Sequence, residues 1–346
     1  MEFPQFVSFT VTNACNLRCR MCGQWSEEGY VLDHKVPIRP SMELEDWKRL
    51  VDEASQHKIR FILVRGGEPF LFPGIMELLQ YINRKGIFLS VDTNGTLLDR
   101  FAADLSRIDR MHITFSVDGP EEVHDHVRVS KGSFAKIKEN IALLQTLERK
   151  CGNTISKSIC LTISNDNYAS LGKMADVARS MAISSVNIVP FYYVSNAIGK
   201  QYEEELRTSF NCSAYSWKGF HREQSGVEFD RFRQELGTYL SSLDGIQNFP
   251  YMPLTEDEYR TWFSDDVTPV RSPACMNVEK LIDIQPGGDA NFCVDFPDYA
   301  IGNVKGSSID EVWNSPRAEQ FRACRREKPL SVCHRCGAKY ISEIKE

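Results

Sequence analysis

The chain contains no apolar run of roughly eighteen residues, so nothing in it reads as a membrane span. Its N-terminus, Met1-Glu-Phe-Pro-Gln, has neither the basic start nor the apolar core of a secretion signal. Positive charge is in deficit: 41 Lys and Arg against 47 Asp and Glu leave a formal −6, which argues against a dedicated nucleic-acid binder. The short basic run Phe321–Arg326 reads as a solvated helix face. Internal repeats and low-complexity tracts are also missing. A cytoplasmic protein is the expectation, with no nucleic acid and no membrane among its partners. Reducing thiol pools there keep thiols open. The eleven cysteines, where patterned, are therefore expected to bind metal or clusters.

What is present is enough for a large domain plus a smaller one: 346 residues at 42% hydrophobic content. Over the first 190 residues or so, short apolar strands alternate with amphipathic helices, the pattern of βα units on a parallel sheet. Strands are expected at 6–11, 59–64, 88–91, 111–117, 158–163 and 186–189. Helices are expected at about 44–56, with Ser41 as its cap, and at 74–85, 134–147 and 171–180. Six such units predict an α/β fold, a partial (β/α)6 barrel, whose reacting groups gather at the C-terminal strand ends. Residues 201–270 are richer in aromatics and acids. They read as a helical connector of two or three helices, packed on the barrel and able to close its mouth. Residues 271–346, where cysteines reappear, form a third segment.

After the first strand comes Cys15-Asn-Leu-Arg-Cys19-Arg-Met-Cys22. This spacing wraps three thiolates around one face of an iron–sulfur cube. A 4Fe–4S cluster usually takes four cysteines, so three leave one iron open for a ligand. A zinc knuckle and three unrelated thiols are the plainer alternatives. Zinc would normally add a second Cys pair or two histidines, and none stands near residues 15–22.

Cys-x3-Cys-x2-Cys in this place resembles the signature of the radical S-adenosylmethionine (radical SAM) superfamily, although Met21 stands where the family usually has an aromatic. The resemblance implies a cluster whose open iron is chelated by the methionine end of S-adenosylmethionine. One electron then cleaves the sulfur–C5′ bond to give a 5′-deoxyadenosyl radical. Further motifs match the family. Gly66-Gly67-Glu68-Pro69 follows the second strand and would bind the methionine amino group. Thr93 and Asn94, in Asp92-Thr-Asn-Gly95, follow the third. Ser116, Asp118 and Arg128 follow the fourth, with Ser116 and Arg128 as grips for the carboxylate or ribose. Val129 stands where the family usually has Gly. Asn165, past the fifth strand, is a weaker cofactor candidate. His124 and His126 read as cap and helix-surface residues.

The C-terminal segment, with Gly288-Asp-Ala-Asn-Phe-Cys293, Ile301-Gly-Asn-Val304 and Cys333-His-Arg-Cys336, resembles the SPASM/twitch domains that hold auxiliary clusters. It implies one auxiliary 4Fe–4S cluster on Cys275, Cys293, Cys333 and Cys336. Those four thiolates would also suit a zinc ribbon. Cys324 is left over as a spare ligand, a hydrogen-atom donor to a substrate radical, or a structural thiol. Cys151, Cys160 and Cys212 match no motif, and Cys160 reads as core.

The expected function is reductive cleavage of S-adenosylmethionine followed by hydrogen abstraction from a small molecule. A sugar, aminocyclitol or nucleotide sugar undergoing dehydrogenation or epimerisation is favoured. An electron donor such as flavodoxin or ferredoxin is implied. The first strand begins within about ten residues of Met1, which leaves no room ahead of it for a peptide-recognition domain. The alternatives are a peptide- or protein-modifying maturase and a non-catalytic zinc- or cluster-binding module.

Overall fold

Every βα crossover that the periodicity predicts is found in a computed structural model that describes residues 2–32, 41–250, 252–270 and 275–337. Arg271, where the third segment is expected to open, lies outside the described residues. Six strands alternate with helices: β1 (Phe6–Thr10), β2 (Phe61–Arg65), β3 (Phe88–Thr93), β4 (Met111–Ser116), β5 (Ser156–Ile163) and β6 (Ser185–Pro190). They pair in parallel and in chain order.

Two further parallel strands flank them. β7 (Gln247–Pro250) pairs with β6, and β8 (Leu281–Ile284) pairs with β1 in the register Phe6↔Leu281. β9 (Asp289–Asn291) and β10 (Gly302–Asn303) continue antiparallel beyond β8. The six-strand expectation therefore omits both flanks. β7 is short and polar, without alternation, and β8 carries Asp283 inside an apolar run, so neither has a periodic signature.

Alternation along each strand fixes what faces inward. On β4, Met111, Ile113 and Phe115 are buried against the helices, while Thr114 and Ser116 face the barrel interior. On β6, Val186 and Ile188 face out, and Asn187 faces in. The outer side is covered by helices with one apolar stripe. Leu44–Gln56 buries Trp47, Leu50, Val51 and Ala54, the i, i+3, i+4, i+7 spacing of a helix face. Ile75–Arg84 buries Ile75, Leu78, Leu79 and Ile82. The first of these helices is capped at Glu43 rather than at Ser41: the Asp46 carboxylate accepts from the Glu43 N–H at 3.2 Å, half of a capping box.

The expected connector supplies three helices, Asn196–Phe210, Phe229–Ser241 and Glu256–Ser264, as well as β7. Its turn Ser216–Phe220 presses on the N-terminal loop, where the ring of Phe220 leaves no space for a side chain at Gly23. Asp298 ties this region to the C-terminal segment. Its buried carboxylate accepts from the Tyr202 hydroxyl at 2.9 Å and from the Tyr215 and Ser216 N–H groups at 2.6 and 2.9 Å.

Candidate active site

The C-terminal ends of the parallel strands open into one cavity of about 460 Å³. Cys15, Cys19 and Cys22 line its mouth, on the loop after β1. The loop is held by its own backbone. Cys22 N–H donates to the Cys19 carbonyl at 3.1 Å, and the Leu17 and Trp25 N–H groups each point at a sulfur, of Cys15 and Cys22, at 3.4 Å. The Arg128 guanidinium donates to Cys19 Sγ at 3.5 Å. Burial pushes Cys15 up to about 11 and Cys22 up to about 12. Three adjacent thiols whose ionisation is opposed by burial become thiolates when a cationic centre arrives and their protons leave. Among the described residues no three His, Cys, Asp or Glu side chains converge on a point that suits one ion.

Gly66 and Gly67 run alongside the cysteine loop. The Gly67 and Glu68 N–H groups donate to the Thr12 and Ala14 carbonyls, both at 2.8 Å. A Cβ on Gly66 would lie 2.5 Å from the Thr12 oxygen, and one on Gly67 would strike the Ala14 oxygen. These glycines are thus required for strand–loop packing, and both still line the cavity. Glu68 is turned away from it. Its carboxylate accepts from Thr93 Oγ1, Asn94 N–H and Phe70 N–H at 2.8, 2.8 and 3.2 Å. Burial pushes it up to about 7 despite those bonds. Pro69 opens the turn Pro69–Leu71 and is buried. Glu68 and Pro69 therefore shape the cradle, whereas Thr93 and Asn94 line it.

Ser116 and Arg128 both line the cavity. Arg128 is anchored by Asp118, Nε to Oδ2 at 2.6 Å, with Asp118 fully buried. Asp118 is thus a support for Arg128 and does not line the cavity. His124 is no surface residue: it is 0% exposed, and its Nδ1 accepts from the Asp118 N–H at 3.2 Å. His126 is half exposed and pairs with Asp166 at 3.3 Å. Asn165 is exposed and outside the cavity wall. Asn167 is the buried asparagine of that loop, donating to the Asp118 and Thr162 carbonyls at 3.1 and 2.8 Å.

The barrel interior brings in residues that no motif marked: Ser8, Arg65, Thr114, Cys160, Asn187 and Asp295 line the same cavity. Strand alternation was the available signal for all of them but Asp295, which reaches in from the turn after Cys293. Cys160 is consequently cavity wall and not core, and burial pushes its thiol up to about 12. Phe191 and Tyr192, just past β6, also line the cavity, and the expected connector contributes Phe220.

A second, smaller void is surrounded by Cys275, Cys293, Cys333 and Cys336, with Arg325 beside them. Burial, followed by the neighbouring Cys333, Cys275 and Cys336, pushes Cys293 far up. The basic run Phe321–Arg326 is corrected here. Arg322 is 0% exposed, stacked at 4.8 Å on Phe292 and 4.3 Å on Trp313, and Arg325 is buried among the thiols. Of the run's arginines only Arg326 is exposed. Cys324, on the helix Pro316–Glu327, lines neither cavity, so it lacks the geometry of a hydrogen donor to a substrate radical. Both cysteine sets offer soft sulfur donors at protected voids, which suits iron–sulfur clusters.

Comparison with known proteins agrees. The radical SAM superfamily matches residues 9–178, and SPASM, an iron–sulfur cluster-binding domain, matches residues 275–337. The chain is 24% identical over 351 aligned positions to the Fe-coproporphyrin III synthase of Methanosarcina barkeri, covering 96% of this chain and 79% of that protein. It is 24% identical over 368 positions to the antilisterial bacteriocin subtilosin biosynthesis protein AlbA of Bacillus subtilis, covering 99% and 69%. In fold it resembles Streptococcus suis SuiB. With S-adenosylmethionine bound, SuiB superposes with a TM-score of 0.65 at 13% identity over 100% of this chain and 75% of that one. With precursor peptide SuiA bound, the TM-score is 0.62 at 13% identity over 100% and 74%. The chain belongs to the radical SAM superfamily and carries a SPASM domain, so its cofactors are S-adenosylmethionine, a 4Fe–4S cluster and auxiliary iron–sulfur.

Proposed function

We propose that the chain abstracts hydrogen from a small polar molecule, of the sugar or aminocyclitol kind, and leads it to dehydrogenation or epimerisation. The observation that carries this reading is the cavity wall. Beneath the cysteine triad it carries Ser8, Arg65, Asp92, Thr114, Thr162 and Asn187 beside Leu63, Val189 and Leu281. Those polar side chains suit the hydroxyl and amine groups of a small polar molecule. When bound, the cofactors would supply a carbon-centred radical and, at the four C-terminal cysteines, a route for electrons. The chain's own residues bind, orient and exclude. Cys15, Cys19 and Cys22 hold the first cluster. Arg128, braced by Asp118, offers paired donors to a carboxylate, and Ser116 adds a hydroxyl. The aromatic cover of Phe191, Tyr192 and Phe220 keeps water away from a radical. Cys160, held as a thiol, is placed to return a hydrogen atom in an epimerisation.

A second reading, modification of a peptide, is favoured by the likeness in sequence to AlbA and in fold to SuiB. We further propose a cytoplasmic location and a flavodoxin or ferredoxin as electron donor, since the reaction needs low-potential electrons.

Anaerobically reconstituted protein tests the core of this. The wild type should hold about eight irons per chain and form 5′-deoxyadenosine. With Cys15, Cys19 and Cys22 all replaced by Ala it should keep about four and form none. Cleavage surviving in that variant would remove the radical assignment. Deuterium passing from a labelled small molecule into 5′-deoxyadenosine favours the first reading, and passage only from a peptide favours the second. Cys160→Ala should stall an epimerisation and leave a dehydrogenation running.

A further inference from the structure

Among its described residues the cavity wall has an imbalance of charge. Among the described residues Arg65 is its one cation apart from Arg128, which is paired with Asp118. Around Arg65 stand three carboxylates. Asp283, fully buried on β8, lies 3.5 Å from Arg65 Nε and also accepts from the Gln285 amide at 2.5 Å. Asp92 at the end of β3 and Asp295 in the turn after β9 line the cavity itself, and both act electrostatically on Arg65. Arg65 is further fixed by donating to the Val294 carbonyl at 2.9 Å. Among the described residues, one guanidinium against three carboxylates leaves two negative charges uncompensated, although Asp92 also accepts from the Thr114 hydroxyl. Uncompensated charge in a protein interior is unfavourable, so the imbalance calls for a cation or for protons.

A second observation points to a ligand. Ser8, 1% exposed and lining the cavity, has a hydroxyl with no hydrogen-bond partner among the described residues. It is register neighbour to Asp283. A buried hydroxyl left unmatched in a polar cavity is a place for a hydrogen-bonding guest.

Resting on the function proposed above, we infer that this acidic floor binds a protonated amine, so that the substrate is an aminated polyol and not a nucleotide sugar. An ammonium brings three donors and a positive charge, which match Asp92 and Asp295. Ser8 meets a hydroxyl, while Thr114 braces Asp92. The phosphates of a nucleotide sugar would add negative charge to a site already in excess of it.

The test is calorimetric titration of the reconstituted holoenzyme with S-adenosylmethionine present. The probes are D-glucosamine and 2-deoxystreptamine, their N-acetyl counterparts, and UDP-glucose. An amine should bind about tenfold or more tightly than its N-acetyl counterpart, with UDP-glucose weakest. Asp92→Asn and Asp295→Asn should each erase most of that preference. Equal or tighter binding of an N-acetyl compound or UDP-glucose overturns the inference, as does binding of no amine. Dithionite-driven cleavage of S-adenosylmethionine is measured on the same sample. If cleavage is present and amine binding absent, the inference alone fails; if cleavage is absent, the underlying function fails.

Discussion

Single residues carry much of the site's cost. Val129 closes the helix Glu121–Arg128 in the left-handed region at φ 52, where a β-branched side chain is strained by about 1–2 kcal/mol. It is 56% exposed, so little packing is lost with the side chain. Val129→Gly should therefore raise the unfolding free energy by about 1 kcal/mol in urea melts. His124 acts oppositely. Burial, assisted by the Arg128 charge, pushes it down to about 3, while its unfolded value is near 6.5. Its contribution is whole above 6.5 and fades as pH falls, because the unfolded chain takes up a proton that the folded one refuses. The stability difference between wild type and His124→Asn should shrink by about 1.4 kcal/mol per pH unit between 6.5 and 4.5. An unchanged difference would mean that the ring charges in the fold.

At the scale of elements, periodic helices and the six consecutive strands were legible because their buried faces recur at fixed spacing. The triad loop and the cofactor motifs were legible as short patterns of chemistry. What escaped were facts of pairing. Nothing local in Leu281-Ile-Asp-Ile284 says that it lies beside β1, and nothing in Asp295 says that it reaches the barrel floor. The basic run misled for a related reason: Arg322 enters the interior because Phe292 and Trp313 form a slot that receives a guanidinium. It also donates to the Val278 carbonyl at 2.8 Å, joining the helix Pro316–Glu327 to the helix Asn277–Lys280 that leads into β8. Arg322→Met should cost about 3 kcal/mol, from the stacked cation and the stranded carbonyl together. A loss under about 0.5 kcal/mol would show the slot to be incidental.

The whole molecule is organised around one continuous sheet. The SPASM region is no appendage, since β8, β9 and β10 extend the barrel's own hydrogen-bonded order. Residues 1–270 expressed alone would bare the β1 edge along its length, the kind of edge that recruits other chains. That fragment should aggregate or lose cooperative unfolding, while the full chain melts as one unit; scanning calorimetry and light scattering decide it. The pairing of β1 with β8 also sets an order of events at the ribosome. The triad leaves the exit tunnel with β1, yet the strand that walls its flank is encoded beyond Lys280. Iron delivered early would meet a trough open on one side, its thiols facing oxygen and other metals. Maturation of the catalytic cluster is therefore expected only after β8, at the start of the chain's last fifth or so, has been made.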